Sequence, residues 1–564
     1  MRILRGAFVV ATATAMIAAL PAAAPAADKL DGQRLAVQLA ATLSATPASL
    51  NFGPSDPGVD GPPLKVTIRA NGSDPVPLGT PALGGTTPDA FTISGSTCTG
   101  VTLAAGQACD ITVTPHATGT GAQSASLLVP NNGVTDPLTV PLSLTGQVTA
   151  RGTFYPLPPT RVLDTRSGFG APAAPIGPGR AIALQVTGNG GVPTTGVSAV
   201  VLNVTVTEPT RPSYLTVYPT GVPVRPTSSS LNFPSGWTGA NSVTVAVGTG
   251  GKVDIFNAQG STHVVADVAG YFATQSHAGP IGGALQAIEP TRLLDTRIHL
   301  GGPLPANYYI NVPLSFGSEI DAHIRAFAVN VTAVRPSRTG FLTAWNGLEV
   351  DFPSTSTLNY TPNTVVPNMA IVPVAPCIDC GTAEGWPSIG VYTSATSDVL
   401  VDVVGVFDDS GLTGGLRFTP TTPTRVVDSR VALGVPGTLG PATRVTATPP
   451  STVVTPDTAA LALNVTAVNP TRNTFLSVWP AGFEMPEVSN LNPAAGQTVP
   501  NAVITLLGDN QGFHIYNSAG STDVLADVLG RYWVYPDPAT ARGAPEVDLG
   551  SPRVFTGSAP RRLG

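Results

Sequence analysis

Charge is scarce in this chain. Of its 564 residues 11% are charged, Lys occurs only at positions 29, 65 and 252, and the formal net charge is −6. A broad nucleic-acid footprint needs a basic face, so that class of partner is excluded. Long apolar runs are missing too. Beyond the first 27 residues no segment reaches 18 uninterrupted apolar residues, so no membrane-spanning helix is expected. His is confined to positions 116, 263, 277, 299, 323 and 514, and no G-x-S-x-G, H-E-x-x-H, P-loop or Rossmann glycine pattern occurs. Acids are sparse, whereas glycoside cleavage needs two carboxylates about 5–10 Å apart. Nothing marks an active site, and the chain reads as non-enzymatic with no cofactor. What it has in abundance is Gly (61) and Pro (57), together about 21%, just under the level of low-complexity chains. A hydrophobic fraction of 42% with so little charge argues for folding. The length suits about four domains.

Residues 1–27 read as a secretory signal. Arg2 and Arg5 form the positive start, Gly6 to Leu20 is apolar, Pro21 breaks it, and Ala22-Ala23-Ala24-Pro25-Ala26 offers the small residues a signal peptidase requires. Cleavage is expected near Ala26 or Ala27. Loss of Arg2 and Arg5 then takes the charge from −6 to −8. The end of the chain, Phe555 to Gly564, carries Arg561 and Arg562 and no apolar anchor. The expected location is extracellular or cell-wall associated.

The four cysteines come in two close pairs, Cys98 with Cys109 and Cys377 with Cys380. In an exported protein disulfides are the default. Cys377-Ile378-Asp379-Cys380 has three readings. A redox pair needs a βαβ context and a zinc site needs two further ligands. A small disulfide pinning a loop needs neither.

Residues 28–41 read as a linker. From 42 to 148 short alternating strands are separated by Gly, Pro and Asn, as in Leu64-Lys65-Val66-Thr67-Ile68-Arg69 and Cys109-Asp110-Ile111-Thr112-Val113-Thr114. Period-two runs between turn residues predict a β-sandwich. Leu43-Ser44-Ala45-Thr46-Pro47-Ala48-Ser49-Leu50-Asn51-Phe52-Gly53 resembles the opening strand of the bacterial immunoglobulin-like domains called ASH, or choice-of-anchor D. Cys98 with Leu103 to Cys109, and Pro141-Leu142-Ser143-Leu144-Thr145-Gly146, are similar to that family's paired-Cys hairpin and closing strand. The resemblance implies a spacer or interaction domain without catalytic residues.

The rest of the chain repeats itself. Pro159-Thr160-Arg161-Val162-Leu163-Asp164-Thr165-Arg166 returns as Pro290-Thr291-Arg292-Leu293-Leu294-Asp295-Thr296-Arg297 and as Pro423-Thr424-Arg425-Val426-Val427-Asp428-Ser429-Arg430. Leu202-Asn203-Val204-Thr205 matches Val329-Asn330-Val331-Thr332 and Leu463-Asn464-Val465-Thr466; Asn241, Asn368 and Asn501 each open a later strand. The copies close on Asp267, Asp402 and Asp527. Periods of 131 and 133 residues are too long for a solenoid, so each copy is domain-sized. The expected fold class is all-β, with tandem β-sandwich domains: one Ig-like module at 42–148 and three homologous sandwich or jelly-roll-like repeats at 150–276, 284–409 and 415–536. Residues 537–564 read as a disordered tail. The repeat resembles a unit of secreted proteins from high-GC Gram-positive bacteria, which implies location more than activity.

Each late Asp lies inside an apolar strand, where a carboxylate is costly unless paired. Arg161 or Arg166 is the expected partner of Asp267, Arg292 or Arg297 of Asp402, and Arg425 or Arg430 of Asp527. Asp164, Asp295 and Asp428 belong to the same sets. An internal bridge is the plainer reading; a polar pocket for a sugar and a calcium site are the others. The Asn-x-Thr triplets match a glycosylation pattern, but within a strand core Asn side chains bonded to backbone are the better expectation. His263 becomes Asp398 and Asp523 in the other copies, which argues against a catalytic His.

Tyr214 with Tyr218, Phe341 with Trp345, and Phe475 with Trp479 occupy matching positions and are either core or a sugar-stacking platform. The sequence therefore points to an exported adhesion, scaffold or envelope-glycan-binding protein, with cell-wall polysaccharide or another surface protein as partner. Tandem weak sites would gain by avidity. The alternatives are a secreted hydrolase with an unrecognised active site and a spacer with no ligand.

Overall fold

The computed structural model describes residues 42–132, 136–535, 549, 551–555 and 557–563. The signal and linker readings at 1–27 and 28–41 lie outside the described residues. The described chain is almost entirely β, with a few single turns of helix.

The first module is a sandwich of two four-stranded sheets. One has the order Thr42–Thr46, Leu64–Asn71, Ala108–Pro115, Phe91–Ser96, and the other Leu50–Ser55, Leu138–Gly146, Gly121–Val129, Ala82–Gly84. Alternation is the cause: Val66, Ile68 and Ala70 point inward from one strand and Ile111 and Val113 from its neighbour, against Leu127, Val140 and Leu142 of the facing sheet. Cys98 and Cys109 are bonded within this core, closing a span of 11 residues.

The three repeats adopt one pattern. In unit 1 an inner sheet has the order Phe154–Asp164, His263–Ala273, Val197–Thr207, Gly239–Ala246, and an outer sheet Arg180–Gln185, Lys252–Asn257, Ser213–Pro219, Leu231–Phe233. The corresponding inner strands of unit 2 are Leu285–Asp295, Asp398–Phe407, Ala326–Val334 and Val365–Pro373, and those of unit 3 are Leu416–Asp428, Asp523–Val534, Thr458–Val468 and Thr498–Leu506. Between its two sheets each unit encloses its own core.

The sandwiches are not separate beads. A fourth core lies between them, built from the other faces of the three inner sheets. Phe154, Phe272, Ala199 and Val201 meet Leu285, Phe407, Ala326 and Ala328 of unit 2 and Phe418, Tyr532, Ala460 and Ala462 of unit 3. Ring centroids of Phe154 and Phe407 are 4.6 Å apart, and those of Phe272 and Phe418 are 4.3 Å apart. The central inner strands Val197–Thr207, Ala326–Val334 and Thr458–Val468 are consequently buried on both faces, and Ala326–Val334 is buried at every position. Alanine at the facing positions allows the sheets to approach, while the three phenylalanine-rich strand ends fill the centre. Leu285 pairs with Leu416, joining the inner sheets of units 2 and 3, and Phe154 forms a bridge with Gly283.

The first module is fastened to this assembly through Asp56. Its carboxylate accepts hydrogen bonds from the Thr149 amide (2.7 Å), the Thr149 hydroxyl (2.7 Å) and the Tyr535 hydroxyl (2.8 Å). Arg417 stacks 3.5 Å from the centre of the Tyr535 ring and donates to the Thr149 carbonyl at 2.7 Å.

One difference from the sequence reading concerns the tail. Arg553–Val554 and Arg561–Arg562, placed by composition in a disordered tail, each pair with the strand Tyr308–Ser315 of unit 2. Composition registers average polarity and misses a two-residue pairing with a distant edge.

Candidate functional site

Three sets of residues recur in all units. The first is the Arg–Asp set. The opening inner strand pairs with the closing one, which places Arg161 opposite Asp267, Arg292 opposite Asp402 and Arg425 opposite Asp527. Each guanidinium binds the carboxylate through two nitrogens; the Nε distances are 2.7, 2.7 and 2.8 Å. Burial pushes each of these three carboxyls up, against the pull of the arginine. The second arginine of the motif serves another acid. Arg166 donates to Asp164 from Nε (2.9 Å), Nη2 (2.7 Å) and the backbone amide (3.0 Å). These bonds hold the Asp164 carboxyl down at about 2. Asp295 and Asp428 are depressed in the same way by Arg297 and Arg430.

The geometry resolves the choice of partner: Arg161, Arg292 and Arg425 take the late Asp, while Arg166, Arg297 and Arg430 turn back on Asp164, Asp295 and Asp428. Guanidinium groups facing these oxygens would repel Ca²⁺, and no group of three or more His, Cys, Asp or Glu side chains able to hold a metal ion occurs among the described residues. A mostly apolar pocket at the seam of units 1 and 2, lined by Val201, Met369 and Ile371 among others, also reaches Asn203, Asp267 and Ser356. At about 30 Å³ it has room for a water molecule and not for a sugar ring.

The second set is a ring of asparagines. Asn368 donates to Asn203 (3.0 Å), Asn501 to Asn330 (3.0 Å) and Asn241 to Asn464 (2.9 Å). Each contact crosses from one unit to the next, so the three close a cycle. The ring is cemented by backbone: Asn203, Asn330 and Asn464 donate to the carbonyls of Ser356, Ser489 and Ser229 in the neighbouring unit. Asn368, Asn501 and Asn241 accept from the amides of Ser242, Met369 and Ala502. The sequence shows the recurrence of these residues, but nothing local in it signals that their partners belong to other copies.

The drift from His263 to Asp398 and Asp523 also has a physical basis. Each contacts the hydroxyl next to the motif's Asp: Thr165 (3.0 Å), Thr296 (3.2 Å) and Ser429 (2.7 Å). The position asks only for a hydrogen-bond partner, which either residue supplies.

The third set is aromatic and lies on the outward face of each outer sheet. Leu215 and Val217 point into the core, so Tyr214, Thr216 and Tyr218 point away from it. The two members of each pair differ. Tyr218, Trp345 and Trp479 are buried, and the indoles of Trp345 and Trp479 donate to the carbonyls of Leu348 (2.8 Å) and Phe483 (2.9 Å) in the loops that follow their strands. As stacking surfaces these three are corrected to structural residues. Tyr214, Phe341 and Phe475 remain half-buried or exposed, with Phe475 37% accessible.

Each outer ring has a partner that sequence reasoning missed: Phe256 beside Tyr214 (6.5 Å), Tyr392 beside Phe341 (5.9 Å) and Tyr516 beside Phe475 (6.1 Å). These residues share one register position, opposite Thr216, Thr343 and Ser477. The recurring triplets Ile255-Phe256-Asn257, Val391-Tyr392-Thr393 and Ile515-Tyr516-Asn517 were the signal that could have found them.

The paired cysteines form two disulfides, Cys98–Cys109 and Cys377–Cys380. No helix among the described residues is long and apolar enough to cross a membrane.

No family model matches the chain, and no curated protein matches it. Among solved structures, a secreted serine protease, VesC from Vibrio cholerae, aligns at 14% identity with a TM-score of 0.17, over 42% of this chain and 51% of the protease. The chain thus spans about half the length of that structure. A chain of the Sulfolobus turreted icosahedral virus aligns at 12% identity with a TM-score of 0.14, over 68% of this chain and 91% of the viral one.

Proposed function

We propose that the protein is a non-enzymatic, exported scaffold that binds polysaccharide of the cell envelope through the outer faces of its three homologous units. The observation that carries this reading is the repeated aromatic pair: Tyr214 with Phe256, Phe341 with Tyr392, and Phe475 with Tyr516, each on a sheet face turned away from the core. Tyr214, Phe341 and Tyr516 are half-buried and Phe475 is exposed, whereas Tyr392 is buried and Arg225 lies 3.8 Å over the Phe256 ring. The accessible rings present apolar faces on which the C–H side of a sugar can rest. Because the units are locked together by a shared core, the faces hold a fixed arrangement, which lowers the entropic cost of engaging a second and third site. The immunoglobulin-like module acts in this reading as a spacer or interaction domain of the ASH type. The disulfides accord with an extracellular setting.

The test is co-sedimentation of the purified protein with isolated bacterial cell-wall polysaccharide, with and without EDTA. Saturable binding that survives EDTA is expected. Absence of binding at high protein concentration would overturn the reading in favour of a spacer.

A further inference from the structure

Unit 2 differs from its siblings in two ways. The first is an insertion. Where units 1 and 3 turn from the last inner strand into the outer sheet through residues 247–251 and 507–512, unit 2 uses 374–386, which carry the Cys377–Cys380 disulfide. The second is an occupied edge. Among the described residues the outer-sheet edge strands of units 1 and 3, Arg180–Gln185 and Thr443–Ala447, each pair on one side only, whereas the equivalent Tyr308–Ser315 carries the C-terminal segment on its other side.

The two peculiarities touch. Arg553 and Val554 pair with Ser315 and Leu314; Arg561 and Arg562 pair with Tyr309 and Tyr308. Between these pairings the segment crosses the disulfide loop. Phe555 packs on the cluster of Cys377, Cys380 and Ala383, against which Trp386 also packs. Arg553 lies 5.0 Å from the centre of the Trp386 ring and donates to the Ser315 hydroxyl at 2.8 Å. Arg561 donates to the Ile378 carbonyl at 2.8 Å and forms an ion pair of 3.4 Å with Asp379. Leu563 reaches the aromatic cluster of Tyr309, Trp345 and Tyr392. These are the parts of a strand-addition site: an open sheet edge for the backbone, an apolar socket for one side chain, and polar groups that read the flanking side chains.

We propose that the edge strand Tyr308–Ser315 and the Cys377–Cys380 loop form a site for an extended peptide with arginines flanking an aromatic residue, occupied by the protein's own C-terminal segment as a detachable ligand. The disulfide shapes the socket. A dithiol reductant transfers two electrons and two protons to the bridge, leaving two cysteine thiols and becoming a cyclic disulfide itself; the socket then loosens and the segment leaves.

Hydrogen exchange on the full-length protein tests this without reference to any glycan. Phe555→Ala and Arg561→Ala should each raise exchange across residues 308–315 by about tenfold and leave residues 180–185 of unit 1 unchanged. A synthetic peptide of residues 549–564 should restore protection to the Phe555→Ala protein saturably. Unchanged exchange in both variants would overturn the site. Raised exchange that excess peptide does not reverse would overturn the ligand reading, making the segment a fixed part of the fold. The variant Cys377→Ser/Cys380→Ser should behave like Phe555→Ala; full protection at 308–315 in a folded double variant would overturn the role of the disulfide. If the double variant does not fold, dithiol treatment of the native chain gives the same readout.

Discussion

Asn368 of unit 2 donates its side-chain amide to the side-chain oxygen of Asn203 in unit 1, across 3.0 Å and 165 residues of sequence. The same bond recurs from Asn501 to Asn330 and from Asn241 to Asn464. A side-chain amide is suited to the position because it both donates and accepts, so a single residue can bond its neighbour's carbonyl and cover its neighbour's amide. Six such residues in three pairs close a cycle with no charge of its own to desolvate, and the apolar centre beside them provides the burial.

Breaking the cycle should destabilise the whole assembly. Asn241 serves three groups: it donates to the Ser230 carbonyl (2.7 Å) and to Asn464, and accepts from the Ala502 amide (3.3 Å). Asn241→Ala leaves these partners buried without a bond, at a cost of about 3 kcal/mol or more. Denaturant unfolding followed by the fluorescence of Trp345 and Trp479, in units 2 and 3, should shift although the change is in unit 1. A shift confined to probes in unit 1 would show that the units unfold separately.

The Arg–Asp bridges predict an asymmetry between single and double substitutions. Arg425 is mostly buried and Asp527 wholly so. Arg425→Ala strands the carboxylate and should cost about 3–5 kcal/mol, while the paired change Arg425→Met/Asp527→Leu should recover most of that loss. Unfolding midpoints of the three proteins measure the difference directly.

How much of this was legible beforehand depends on the range of the interaction. Alternation in Val200, Leu202, Val204 and Val206 discloses a sandwich strand, because side-chain direction follows from position in the strand. The partnership of Arg161 with Asp267 was readable as one of two choices, since a buried acid demands a cation. The asparagine ring was not readable. Asn203, Asn330 and Asn464 sit on the strand face opposite the unit's own core, and a sequence cannot distinguish a face that meets solvent from one that meets a sibling. The alanines at 199, 326 and 460, buried in the shared centre, carried the missing signal as small residues on that same face. The aromatic platforms were half legible: spacing found Tyr214, Phe341 and Phe475 but missed their partners Phe256, Tyr392 and Tyr516, and Trp345 is buried while Phe341 is only half-buried.

Acid should separate Asp164 of the motif from the late Asp267. The Asp164 carboxyl is held at about 2, below its ordinary value near 4, by Arg166. A depressed acid supplies stability that is present above its unfolded value and lost as pH falls through its folded one. The Asp267 carboxyl is raised by burial, so its contribution has the opposite sign and is lost as pH rises through the folded value. Asp164→Asn should therefore melt below the native protein at pH 6, and the gap should close between about pH 4 and pH 2. A gap that stays constant over that interval would show that Asp164 acts by shape and not by charge.

The two members of each aromatic pair should separate by phenotype in the same way. Trp479 is buried and its indole donates to the Phe483 carbonyl, so Trp479→Ala should cost about 3–5 kcal/mol and lower the melting temperature whatever ligand is present. Phe475 is 37% accessible beside Tyr516, so its replacement removes less buried area than that of Trp479. Phe475→Ala should melt close to the native protein yet bind polysaccharide less well, and the triple change Tyr214→Ala/Phe341→Ala/Phe475→Ala should weaken co-sedimentation far more than any single one. The multiplication of small losses is what three sites on a rigid frame require. If the triple variant binds as tightly as the native protein, the outer faces are not the contact surface; if each single variant abolishes binding, the sites do not act as repeated equivalents.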